Sequence, residues 1–247
     1  MNTTNIKYQL VAFGNYDEVT PSAENMKFFL ENFSDKGLIP SQMQQINLNV
    51  SNNNLKNESV SRLVLTTQDK SWNVRFNDER IDINLSNVKY SSDDFISVDD
   101  FIKEAFIILD KVNSKFSKNH KRIGFTIQTV ISNVVSVDLF KKFNSPLDYF
   151  SHENPTQWSN KFAFRKIMDI NGKQEIVNIT SDFSWLKGRI GVNKDAQAFE
   201  GLVVNVDINS LNENLDSRFN IDDIKEFTNK AKNIQEEISA ELFDKIK

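Results

Sequence analysis

Leu63-Val64-Leu65-Thr66-Thr67, Trp72-Asn73-Val74-Arg75-Phe76 and Arg80-Ile81-Asp82-Ile83-Asn84-Leu85 decide the fold class. In each stretch apolar and polar residues alternate, the period-two signature of a strand with one buried face. Gln68-Asp69-Lys70-Ser71 and Asn77-Asp78-Glu79 are built from turn-forming residues. Three strands joined by short turns make an antiparallel meander, and its polar side, including Arg75, Asp82 and Asn84, is expected to meet water.

Working outward, the pattern changes to helix on both sides. Upstream, Tyr8–Phe13 reads as a strand. Thr20-Pro21 then opens a helix, with Thr as N-cap and Pro in the first turn. Met26, Phe29, Leu30 and Phe33 form its apolar face, and Gly37 supplies a left-handed stop. A strand at Gln45–Val50 and a polar loop at Ser51–Asn54 follow. Downstream, Ser97-Val98-Asp99-Asp100 is a capping signature. It leads into a helix whose stripe is Phe101, Ala105, Ile108, Leu109, Val112 and Phe116.

The second half repeats this plan. Ile123–Ile131 alternates as a strand, and Val137–Phe143 reads as a short helix halted before Pro146. Asn171-Gly172 is a strong hairpin signal between Phe162–Ile170 and Glu175–Thr180. Strands are expected near Phe183–Val192 and Phe199–Ile208. Asn220 and Asp223 cap a last helix with Ile221, Ile224, Phe227, Ala231, Ile234, Ile238, Leu242 and Ile246 on one face. The expected class is α+β, antiparallel sheets backed by long helices, with residues 1–120 and 121–247 as two similar βαβββα halves or one fused domain. No residue-level repeat is visible, which leaves open whether the halves share one plan and whether two sheets fuse or pack face to face.

Composition narrows the function. Twenty Phe in 247 residues supply ample material for a core. No cysteine is present, which excludes disulfides, thiolate nucleophiles and Cys-type metal sites and suits a reducing compartment. Met1–Lys7 lacks the charged start and apolar core of a signal peptide, and no apolar run is long enough for a membrane span, so a cytoplasmic location is expected. A net charge of −4 disfavours nucleic acid as a partner.

Few residues invite chemistry. His120 reads as a helix-terminal cation beside Lys121 and Arg122, and His152 lies in a polar loop without a second histidine at ligand spacing. The pairs Asp93-Asp94, Asp99-Asp100 and Asp222-Asp223 read better as helix-dipole and capping carboxylates than as metal ligands. Gly188 and Gly191 form a Gly-x-x-Gly, which here suits a bent strand. Neither a phosphate-binding loop nor a nucleophile elbow is present. No catalytic residue, metal or cofactor is expected. Arg165 and Arg189, with Lys166 and Lys187, would form an anion pocket if their strands were neighbours. Phe150, Trp158 and Trp185 are large aromatics in or near polar segments, either tucked back on the core or offered to a partner.

The run Arg80–Leu85, the amphipathic helix after it, Lys121–Ile127, and Leu202–Ile208 before the final helix carry a resemblance. Their order is similar to a sporadically distributed family of uncharacterised bacterial proteins of about this length. Each half also resembles the SecB-type chaperone fold, an antiparallel sheet with a long helix behind it. The resemblance implies a protein- or peptide-binding role of chaperone, antitoxin or phage-defence kind and brings no catalytic residues with it. The chain departs from SecB-type chaperones in that its Phe residues fit cores and not open apolar grooves. A hydrolase using two carboxylates, or a phage-derived assembly subunit that forms homo-oligomers, are the alternatives.

Overall fold

The computed structural model of the chain describes residues 1–51, 54–144, 155–190 and 196–246. In chain order the elements are β1 (Asn2–Phe13), α1 (Ala23–Phe33), β2 (Ile39–Ser51), β3 (Asn54–Thr66), β4 (Trp72–Asn77), β5 (Arg80–Ser86), α2 (Val98–Phe116), β6 (Arg122–Ser132), α3 (Ser136–Phe143), β7 (Trp158–Ile170), β8 (Lys173–Ile190), β9 (Gln197–Ser210) and α4 (Ile221–Ile246). The nine strands form one sheet in the order β2-β3-β4-β5-β1-β6-β9-β8-β7, and adjacent strands are antiparallel. The expected α+β class is present, with the strands of both halves fused into a single sheet.

Alternation within each strand and register between strands build the core together. Leu65, Val74, Ile83, Leu10, Phe125, Ile208 and Ile179 stand opposite one another in succession across seven strands. All are buried. The helices cover this face. α2 rests on β1, α4 on β6 and β7, the two helices touch each other, and α3 leans on α4. Phe101 of α2 is fully buried among the rings of Tyr8, Trp72 and Phe125, at centroid distances of 5.4, 5.5 and 6.4 Å.

Local signals account for most boundaries. Ser97 Oγ accepts from the Asp100 N–H at 3.1 Å and donates to the Asp100 carboxylate, closing the start of α2. Asn220 and Asp223 exchange the same kind of bonds at the start of α4. Asn171 and Gly172 have φ of 51° and 83°, the left-handed pair that a two-residue hairpin turn requires. That turn is fastened to α4, because Asn171 Nδ2 and Lys173 Nζ both donate to Asp223. Arg218 adds a second fastening: it grips Glu175 with two hydrogen bonds and donates to the Lys121 carbonyl.

Several expectations are corrected. α1 begins at Ala23 with Ser22 as its cap, since the Ser22 hydroxyl accepts from the Asn25 N–H; the Thr20 carbonyl instead accepts from the Asn25 side chain. Leu30 is exposed, while Phe29 and Phe33 carry the buried face. β8 runs unbroken through Ser181-Asp182, where two strands were expected, because those polar residues continue the alternation. Of the loop expected at Ser51–Asn54, Ser51 and Asn54 pair as strand residues, and residues 52–53 lie outside the described ones. Asp82 does not meet water; it is 4 % exposed. His120, expected as a surface cation, is 1 % exposed. β3 meets β4 only at Val64–Thr66, so much of the β2–β3 hairpin projects past the sheet.

Because Phe101 fills the space between α2 and three strands, Phe101→Ala is expected to cost about 3–5 kcal/mol, read as a lower denaturation midpoint at an unchanged slope.

Candidate functional site

The alternation that buries one face leaves the other face polar. Asn73, Asn84, Gln9, Thr126, Asp207 and Thr180 are successive register neighbours across six strands. A second row runs Ser86, Lys7, Gln128, Asn205, Asp182. Two clefts lie over these rows. One, of about 810 Å³, is lined by Asn73, Arg75, Asp82 and Asn84 among others. The other, of about 500 Å³, is lined by Thr126, Gln128, Asp182 and Asp207 among others. Lys7 and Gln9 on the central strand border both.

The clefts differ in charge. In the larger one Asp82 accepts from Arg80 Nε at 2.9 Å, Asn77 Nδ2 at 3.0 Å and Gln9 Nε2 at 3.4 Å. Asp78 pairs with Arg62 and Glu79 with Lys121. The Arg75 Nε donates to the Asn73 carboxamide oxygen at 2.6 Å, which fixes its guanidinium on this face. Burial depresses the Lys7 ammonium below the usual lysine range; Asp82 opposes that shift and Arg75 adds to it. In the smaller cleft Asp207 accepts from Thr126 Oγ1 at 2.8 Å and Asn209 Nδ2 at 2.9 Å, and Asp182 accepts from Ser184 Oγ at 2.6 Å. Neither of these two carboxylates has a cation partner among the described residues.

The residues singled out in the sequence lie elsewhere. Trp158 and Trp185 stand opposite each other on β7 and β8, 7 % and 4 % exposed, with Phe143 stacked at 6.3 Å from Trp158. They are core residues beneath α3, so they offer no surface to a partner. Arg165 is exposed and bonded to Asn178 and Glu213. Arg189 reaches the Ala196 carbonyl, and Lys187 pairs with Glu200. Asn178, opposite Arg165, and Arg189 are far apart on β8, roughly 35 Å at about 3.3 Å per residue, so the expected cationic pocket does not assemble. Gly188 sits inside β8 with the Phe199 ring where a Cβ would be, the close approach that a glycine in a strand permits. Phe150, His152, Pro146 and Gly191 lie outside the described residues.

Lys7 and the polar rows were missed. The available signal was the alternation Lys7-Tyr8-Gln9-Leu10 itself, which puts Lys7 and Gln9 on the face opposite Tyr8. No group of His, Asp and Glu suited to a metal ion occurs among the described residues.

One feature at the edge of the sheet is also relevant. β7 has no strand beyond it among the described residues. Phe162 and Phe164 on one of its faces are 44 % and 63 % exposed, and Ile167 with its neighbour Ile176 on the other are 66 % and 43 % exposed. Lys161, Arg165 and Lys166 flank them.

Comparison with family models, with curated proteins and with solved structures finds no match to this chain.

His120 hydrogen-bonds the Tyr16 hydroxyl at 2.7 Å through Nε2, and its backbone N–H donates to Phe219. Burial lowers its pKa from 6.5 to about 4, so the folded chain holds it neutral. The sign follows: below 6.5 the unfolded chain takes up the proton first, and stability falls as pH drops toward 4. Relative to a His120→Gln variant, the wild type should lose up to roughly 3 kcal/mol between pH 7 and pH 4, measured by denaturant unfolding at each pH.

Proposed function

We propose that the chain is a non-enzymatic protein-binding module that takes an extended segment of another protein as a tenth strand along β7. The observation that carries this is the outer edge of β7, with apolar side chains exposed on both of its faces. A strand added there gains main-chain hydrogen bonds from the edge and side-chain contacts at every second residue. Isolated edges are usually blunted by cations, and Lys161, Arg165 and Lys166 have that effect here. The segment that fits therefore alternates apolar residues and carries carboxylates opposite those cations.

The strand order supports a finer reading, that the two halves are copies of one plan. β2-β3-β4-β5-β1 and β7-β8-β9-β6 each run from an outer hairpin to the first strand of their half, and β1 and β6 meet at the centre. On that reading β2 is the counterpart edge. It contains Pro40, which has no N–H to offer, so β7 is the edge open to a partner. A sheet with helices on one face is in keeping with the chaperone-type resemblance.

Hydrolysis by a carboxylate pair has one specific observation in its favour. Asp182 and Asp207 occupy diagonal positions in one cleft, at a spacing of about 7–8 Å between backbones. The cleft is open and both carboxylates are held by neutral donors, so binding accounts for the surface better. Turnover of aryl glycosides that disappears in Asp207→Asn would reverse that order.

The binding proposal is tested by displaying random linear peptides and selecting on the wild-type chain. Enriched peptides should alternate apolar and acidic residues. Their affinity should fall about tenfold or more for the Phe162→Lys, Phe164→Lys double variant, and likewise when alternate peptide amides are N-methylated. Selection that yields the same peptides with the double variant would sink the proposal. A wild-type dimer that the double variant dissolves would replace the foreign segment with a second copy of this chain.

A further inference from the structure

The cleft over β1, β4 and β5 lies away from the β7 edge and has a property of its own. Its carboxylates are already neutralised: Asp78 by Arg62, Glu79 by Lys121 and Asp82 by Arg80. Three further cations line it, Lys7, Lys70 and Arg75, and none of them forms an ion pair among the described residues. We propose that this cleft binds a small polyanion whose charges are met by Lys7, Lys70 and Arg75.

Free lysines on a protein surface are commonplace and by themselves signify nothing. Lys7 differs in position, since it stands half-buried on the central strand of the sheet at the junction of two clefts. Removing a lysine from part of its hydration without giving it a carboxylate is costly, and a bound anion offsets that cost. The nearby Arg75 adds repulsion that the same anion would relieve, and both effects are visible in the depressed Lys7 ammonium. Arg75 is held by Asn73, so its guanidinium is oriented before any ligand arrives, as a fork for two anionic oxygens.

The remaining lining fits the same ligand. Asn84, Gln9 and Ser86 place neutral hydrogen-bonding groups between the cations, where they can meet additional oxygens. A cleft of about 810 Å³ lies in the range of small-molecule sites. Three cations spread over that space match a ligand with several charges, and a single carboxylate would leave most of them unmet. The overall charge of −4 speaks against a long nucleic acid as the source of those charges. Phosphate chains and polycarboxylates share the required chemistry.

Calorimetric titration of the full chain at constant ionic strength, with inorganic tripolyphosphate, ATP and citrate as separate probes, tests this. Binding of at least one probe is expected, and the probe that binds identifies phosphate or carboxylate as the source. Lys7→Gln and Arg75→Gln should each weaken it by about tenfold or more, while Lys27→Gln on the exposed side of α1 leaves it unchanged. Absence of heat with every probe at millimolar concentration overturns the proposal, as does equal weakening by Lys27→Gln. A second measurement needs no variant. Acetylation of Lys7 by limiting acetic anhydride, followed by peptide mass spectrometry, should be suppressed by the bound probe. An unchanged Lys7 labelling rate in the presence of the probe also overturns it.

Discussion

The central strand β1 is hydrogen-bonded along both edges, to β5 on one side and β6 on the other, and its alternation sets the two faces of the whole sheet. Tyr8, Leu10 and Ala12 point to the helices; Lys7 and Gln9 point away. A slip of one residue would exchange these sets and put an ammonium group beneath α2. Every neighbouring strand inherits its facing from this choice through register. The apolar row from Leu65 to Ile179 and the polar row from Asn73 to Thr180 are thus two consequences of one constraint.

That constraint explains why the fold was largely legible and the site was not. Period-two alternation, two capping boxes and one Asn-Gly turn are local signals, and each marked its element. The boundary errors came from local rivals: Thr20-Pro21 looked as good a start as Ser22, and Ser181-Asp182 looked like a break where it was the polar phase of a strand. The strand order could not be read at all, because β1 and β6 pair across a long stretch of intervening chain and nothing in either strand names its partner. His120 was misjudged for the same reason. Its neighbours in sequence are Lys121 and Arg122, but its neighbours in space are Tyr16 and Phe219.

The polar face shows how function-bearing surface arises without a motif. No two of Lys7, Lys70, Arg75 and Asp82 form a recognisable spacing. Register brings Arg75 opposite Asp82, and side-chain length brings Lys7 within electrostatic reach of both. The aromatic residues that looked exposed from their polar surroundings were instead drawn inward, since Trp158 and Trp185 pair across β7 and β8 beneath α3. The exposed apolar residues, Phe162 and Phe164, looked like ordinary strand alternation and lie where the helices do not reach.

The seam between β1 and β6 has a consequence during synthesis. Phe13 leaves the ribosome long before its partner Arg122, and β5 arrives in between. The first five strands and α2 can therefore assemble early, leaving one flank of β1 bare of backbone partners until β6 is made. Long-range pairing of this kind is slow and exposes nascent chains to intermolecular pairing. The interval before β6 emerges is thus the point in the life of this protein when aggregation threatens it most.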